Sequence, residues 1–240
     1  MLASHFDEII EKRRSNRRFD PAVKVPDEVI KRSLERAILS PNSSNMQLWE
    51  FYWIKSQEEK EKYTAFCLGQ SAAKTAQQIV VFVTRKDLWA KHAKWNLDRL
   101  KQGITGEPNK LQKRGLDYYS KLMPLAYRSD WFGFFAFVRR MISFFGGLTK
   151  PFYRMGGKAD QRVTVHKSCA LAAQTFMLSI AAEGFESCPM EGFDEKRVKQ
   201  ALNLPCGAEI NMIIAVGKGT PEGVWGPRFR IPYEEVVFER

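Results

Sequence analysis

The chain has 240 residues, 38 of them Lys or Arg and 27 Asp or Glu, for a formal net charge of +11. At 44% hydrophobic and 27% charged, the composition is that of a globular chain with a buried core and excludes a disordered or fibrous one. No uncharged apolar stretch reaches the roughly 20 residues of a spanning helix, and Met1 to Glu8 has neither a basic n-region nor an apolar h-region, which argues against a secretory signal.

Phe6, Ile9, Ile10 and Arg13 recur at helical spacing and predict a first helix over roughly 4–13. It runs into Arg13-Arg14-Ser15-Asn16-Arg17. Val25-Pro26-Asp27-Glu28 opens a second helix, with proline and carboxylates suited to its first turn. Pro41 ends it, and Ser40 to Gln47 reads as a polar turn. Trp49 to Ile54 reads as a strand, 58–77 as helical, and Ile79 to Val83 as a buried strand. Residues 85–160 hold turn signals at Gly103, Gly106 to Pro108 and Gly146-Gly147. They also hold Trp131 to Leu148, which Arg139-Arg140 splits into two apolar runs. Val165 to Glu183 is an Ala-rich helix with few charges on any face, expected to be buried all round and stopped by Gly184. Asp194 caps a short helix to Asn203, and Ile210 to Val216 is a second buried strand. The Gly- and Pro-rich tail is extended and ends in the strand-like Glu235 to Phe238. Strands and helices mix without βαβ alternation, so the expected class is α+β.

The charge is local. Residues 85–158 carry 16 basic and 5 acidic side chains, so this third supplies the whole excess. A nearly neutral scaffold with one basic insertion explains this better than a uniformly basic nucleic-acid binder. The four cysteines form no C-x-x-C pair and there are three histidines. A structural zinc site is not expected, and free thiols in a reducing cytoplasm are the simplest reading.

Four segments could carry chemistry. Arg13, Arg14, Ser15 and Arg17 offer forked donors that match a phosphate dianion, although cations favour a helix C-terminus in any case. Pro41, Asn42, Ser43, Asn45 and Gln47 could meet a polyol or heterocycle, yet ordinary turns use the same residues. Pro189, Met190, Glu191 and Gly192 could offer backbone N–H groups, or be a plain loop. Arg228 and Arg230 could add charge, or be surface residues.

Together and in this order the segments resemble the FMN-dependent nitroreductase family, over roughly residues 5–84 and 162–240. The resemblance implies an α+β homodimer with a central, mostly antiparallel sheet flanked by helices and a domain-swapped C-terminal tail. It implies one FMN-binding domain over 1–240, with a basic, aromatic-rich insertion at about 85–160. Arg13, Arg14, Ser15 and Arg17 would meet the FMN phosphate, ribityl chain and N1/O2 edge, and Arg228 and Arg230 would complete the phosphate site. Pro41, Asn42, Ser43, Asn45 and Gln47 would reach in from the partner. Pro189, Met190, Glu191 and Gly192 would line the ring, with the Glu191 amide near N5 and Gln70 at the pyrimidine edge. Leu48 stands where the family has proline.

The activity so implied is NAD(P)H-dependent reduction of nitroaromatics, quinones or similar acceptors by a ping-pong mechanism in the cytoplasm. A second reading keeps the fold but performs flavin fragmentation or reductive dehalogenation. A third is a basic protein that binds nucleic acid or an anionic membrane surface, with 131–148 as its interfacial helix. The expectation for that stretch is instead a helix packed under or beside the cleft.

Overall fold

The computed structural model describes residues 2–154 and 156–240. Two apolar runs form the middle of a four-stranded antiparallel sheet. Its strands are β1 (Trp49–Ile54), β2 (Gln78–Arg85), β3 (Glu186–Met190) and β4 (Ala208–Gly217), in the order β1-β2-β4-β3. The central strands read as continuous hydrophobic runs because both faces are covered. Ile79, Val81 and Val83 of β2, with Ile213 and Ala215 of β4, point into one core. Val80 and Phe82, with Ile214 and Val216, point into the other.

The first face is covered by α3 (Gln57–Phe66), α4 (Ser71–Thr75) and α10 (Glu195–Ala201). The second is covered by α2 (Asp27–Ile38) and the long α9 (Lys158–Ala182). A first helix, α1 (Leu2–Lys12), precedes them. Gly184 (φ 83°) ends α9, with Phe185 N–H donating to the Ile180 carbonyl at 3.1 Å.

Residues 85–154 are mainly helical: α5 (Trp89–Gln102), α6 (Lys110–Asp117), a π-helical turn at Tyr118–Leu122, α7 (Met123–Tyr127) and α8 (Phe134–Thr149). They meet the scaffold through their own small core, in which Met123, Tyr127 and Ala93 pack with Met46, Leu48 and Val165. Leu48 is 3% exposed, so the residue in the family's proline position packs in this core.

Several expectations change. The helix expected over 58–77 is two helices, because Leu68 (φ 57°) and Gly69 (φ 68°) turn the chain left-handed between them. Of the segment Pro189 to Gly192, which could be a plain loop, Pro189 and Met190 end an edge strand, Glu186–Met190; Pro189 is tolerated at an edge because the missing N–H costs no central ladder bond. Helix α9 starts seven residues before Val165, where Gly157 N–H donates to Asp160 Oδ2 at 2.8 Å. It is also not buried all round: Leu171 is 47% and Val163 41% exposed. Glu235 to Phe238 is no strand; the only regular element there is a 3₁₀ turn at Tyr233–Glu235. Finally, the Trp131 to Leu148 stretch lies beside a cavity through Arg139, Ile142 and Ser143, but most of its aromatics face outward. Trp131 and Phe132 are 90% and 93% exposed.

Candidate functional site

The segment Ser15 to Phe19 lies between the edge of β3 and the tail that leaves β4. On one side Ser15 bridges Ser187, and Asn16 N–H donates to the Ser187 carbonyl at 3.1 Å. On the other, Arg17 N–H donates to the Gly223 carbonyl (2.8 Å) and Thr220 N–H to that of Arg18 (2.9 Å). The buried Asn16 joins the two: its Nδ2 donates to the Thr220 carbonyl and its Oδ1 accepts from Arg18 N–H. This close approach explains the glycines of the tail. A Cβ on Gly223 would collide with Asn16 Oδ1 and sit 2.7 Å from the Arg18 nitrogen.

The arrangement gathers arginines at the end of α1. Arg228 donates to the carbonyls of Ile10, Glu11 and Arg13, at 2.7–3.1 Å. Its cation thus satisfies the open carbonyls of the helix C-terminus. Arg14 Nη2 donates to the Gly226 carbonyl at 2.9 Å. The guanidinium of Arg17 lies 4.2 Å over the Trp225 ring. Arg13 feels burial first and then the positive charges of Arg228, Arg230 and Arg14, which together hold its pKa below the ordinary value. Among the described residues, no ion pair joins any of these five arginines to a carboxylate. Clustered cations held together without a counter-charge are stabilised by a bound anion.

Strand β3 adjoins this cluster through Ser187 and Cys188. Burial pushes the Cys188 thiol up, against the pull of the Arg17 charge. Gln70 Nε2 donates to the Gly192 carbonyl at 2.6 Å, so Gln70 and Gly192 do meet. Glu191 is exposed. Met190 is 2% exposed and packs in the core, because strand alternation sends Cys188 and Met190 inward and Pro189 outward. Its side chain therefore cannot line a ligand; its backbone can.

The Pro41 to Gln47 turn lies elsewhere, clamped between α9 and the insertion. Ser43 N–H donates to Ser168 Oγ at 3.2 Å. Asn45 and Asn96 exchange two hydrogen bonds, of 3.0 and 2.9 Å. Ser44 Oγ pairs with the Tyr118 hydroxyl at 2.6 Å, and the Tyr119 hydroxyl donates to the Ser44 carbonyl. Asn42 Oδ1 accepts from Gln47 N–H at 2.8 Å. Ser44, Asn45 and Gln47 all have φ near 50°, a conformation that costs free energy outside glycine and persists only when its surroundings impose it. Among the described residues no hydrogen bond links this turn to the arginine cluster. Beside the turn lies a cavity of about 740 Å³, lined by Ser43, Ser44, Tyr118, Ile142 and Phe152 among others.

Sequence reasoning missed Asn16, Trp225, Asn96, Tyr118 and Tyr119. The glycine density of the tail was the one signal available for Asn16. The partners of the turn lie in helices whose pattern carries no mark of that role.

An antiparallel sheet with helices on both faces, and an arginine cluster beside its edge strand, is an α+β architecture. The sequence profile of the Nitroreductase family matches residues 10–218. The DrgA protein of Synechocystis sp. is 30% identical over 222 residues, covering 90% of this chain and 85% of its own. A nitroreductase-like protein from Streptococcus mutans superposes with a TM-score of 0.73 at 20% identity, covering all of both chains. The NADPH:FMN oxidoreductase of Vibrio harveyi, solved with NAD+, superposes with a TM-score of 0.64 at 16% identity, covering 98% of this chain and 76% of that one. The chain belongs to the nitroreductase family, and with it to the oxidoreductases.

Proposed function

We propose that the protein is an FMN-dependent oxidoreductase that takes electrons from NAD(P)H and reduces nitroaromatics, quinones or similar small acceptors. It works as a cytoplasmic homodimer, one domain over 1–240 with an insertion at about 85–160. The observation that carries this reading is the arginine cluster of Arg13, Arg14, Arg228 and Arg230, mutually repelling and without a carboxylate partner. When bound, FMN would supply the two-electron redox chemistry that links nicotinamide and acceptor in a ping-pong mechanism.

The chain's own residues bind and orient. Arg13 and Arg14 hold the phosphate, and Arg228, its donors engaged by α1, adds charge more than contact. Arg17, held over Trp225, stabilises negative charge at the N1/O2 edge. Gln70, just before α4, and Gly192, just past β3, would face the ring, joined by their 2.6 Å hydrogen bond. The strained turn at Ser44 to Gln47 serves the partner's site. That assignment accounts for a costly, well-braced backbone conformation standing apart from its own chain's arginines. Leu2, Phe6, Leu171 and Phe238, all at least 47% exposed, give a dimer apolar surface to bury.

The test is direct. The purified protein should be yellow and should oxidise NADPH or NADH faster when a nitroaromatic or quinone is added. A flavin-bound protein whose NAD(P)H oxidation no acceptor accelerates would instead favour the reading of other flavin chemistry on this fold.

A further inference from the structure

Helix α8 is inside out. A solvent-facing helix turns its apolar stripe to the core and its charges to water. Here Arg139 and Ser143 face inward, 7% and 8% exposed. Arg139 donates through Nε to the Gly156 carbonyl and through Nη1 to those of Leu125 and Arg128, while its buried Nη2 has no hydrogen-bond partner among the described residues; Ser143 donates to the Tyr153 carbonyl at 2.9 Å. The stripe Phe134, Phe137, Met141, Phe144, Phe145 and Leu148 recurs every three or four residues, and each member is 36–66% exposed. Trp131 and Phe132 extend it at the N-terminal end and are nearly fully exposed. The inward bonds of Arg139 and Ser143 hold this orientation, and Asp130 closes the first turn, accepting from Phe134 N–H (2.8 Å) and Phe135 N–H (3.0 Å).

We propose that this outward aromatic face is an interfacial anchor that docks the protein on an anionic lipid bilayer, with α8 lying in the membrane plane. Charge selects the occupant. Residues 121–158 hold seven basic side chains and one acidic, and that one, Asp130, is committed to the helix cap. Arg128, Arg140, Lys150 and Arg154 are exposed around the stripe. Aromatic rings that enter the acyl boundary beside cations that meet lipid phosphates are the two halves of an interfacial helix. A second copy docked through the same face would set positive charge against positive charge. Nucleic acid would leave the phenylalanines in water. The helix has 16 residues and no helix of the described residues is long and apolar enough to cross a membrane, so the anchor rests on the surface.

The experiment is flotation of the purified protein with vesicles of phosphatidylcholine alone and of phosphatidylcholine mixed with phosphatidylglycerol. The wild type is expected to float with the mixed vesicles, far less with the neutral ones, and less as salt rises. Trp131→Ser/Phe132→Ser, at positions that contribute no buried surface, should keep its thermal midpoint and sedimentation behaviour while losing at least about tenfold in partitioning. The proposal is overturned if the wild type fails to float with anionic vesicles, or if neutral vesicles serve equally. It is also overturned if the double variant floats like the wild type. Loss of a self-associated species in that variant, with no wild-type flotation, would assign the face to a second copy.

Discussion

At the scale of single residues, the site is organised by Asn16 and the glycine opposite it. Gly223→Ala places a methyl group against Asn16 Oδ1 and the Arg18 nitrogen, with rigid backbone on one side. We expect a loss of about 2–4 kcal/mol in denaturant unfolding, the range for overpacking together with a broken buried polar contact. Asn16→Ala removes the partner of both the Thr220 carbonyl and Arg18 N–H. It should destabilise by about 1–3 kcal/mol and loosen the arginines on either side. The basic cluster was legible in the sequence because its residues are adjacent. Asn16 was not, since a buried asparagine among four arginines looks like any polar residue of a solvated turn. The side-chain direction of Met190 was not legible either, because its place in a motif says nothing about which side of a strand it occupies.

At the scale of elements, α2 and α9 are tied by Glu183, which accepts from Arg32 and Arg36 at 2.7 Å each. The Arg32 hydrogen bond comes first among the causes that hold the Glu183 carboxyl below its ordinary range, with burial opposing. A depressed carboxyl stabilises the fold above its unfolded pKa, and that stability is lost as pH falls through the folded value. Glu183→Gln should therefore lower the thermal midpoint at neutral pH and make it fall less steeply on acidification; parallel pH profiles for the two proteins would contradict this. Helix α9 was legible from its alanine-rich run and its glycine stop. Its first seven residues were not, because Lys158, Asp160 and Arg162 look like an exposed lead-in until the Asp160 cap is seen. The central strands declared themselves by apolar runs. Strand β3 did not, being short, at an edge and interrupted by Pro189. The insertion concealed its orientation most, since an apolar helix seen in sequence gives no sign that its arginine points inward.

At the scale of the whole molecule, the tail holds the cluster together. Removing residues 219–240 deletes Thr220 and Gly223, which pair with the Arg17 and Arg18 backbone, and Arg228, which caps α1. The truncated protein should lose FMN and sediment as monomer or aggregate; a flavin-bound dimer would contradict the proposed role of the tail. The account rests above all on the arginine cluster as the FMN phosphate and ring-edge site, and its most direct test is an FMN titration of the apoprotein by flavin fluorescence. Arg13→Ala and Arg17→Ala should each weaken binding by about 1.5–3 kcal/mol, roughly ten- to hundredfold, and the double variant should lose its flavin on dialysis. A double variant that stays fully flavinated would show that the cluster is not where FMN is held.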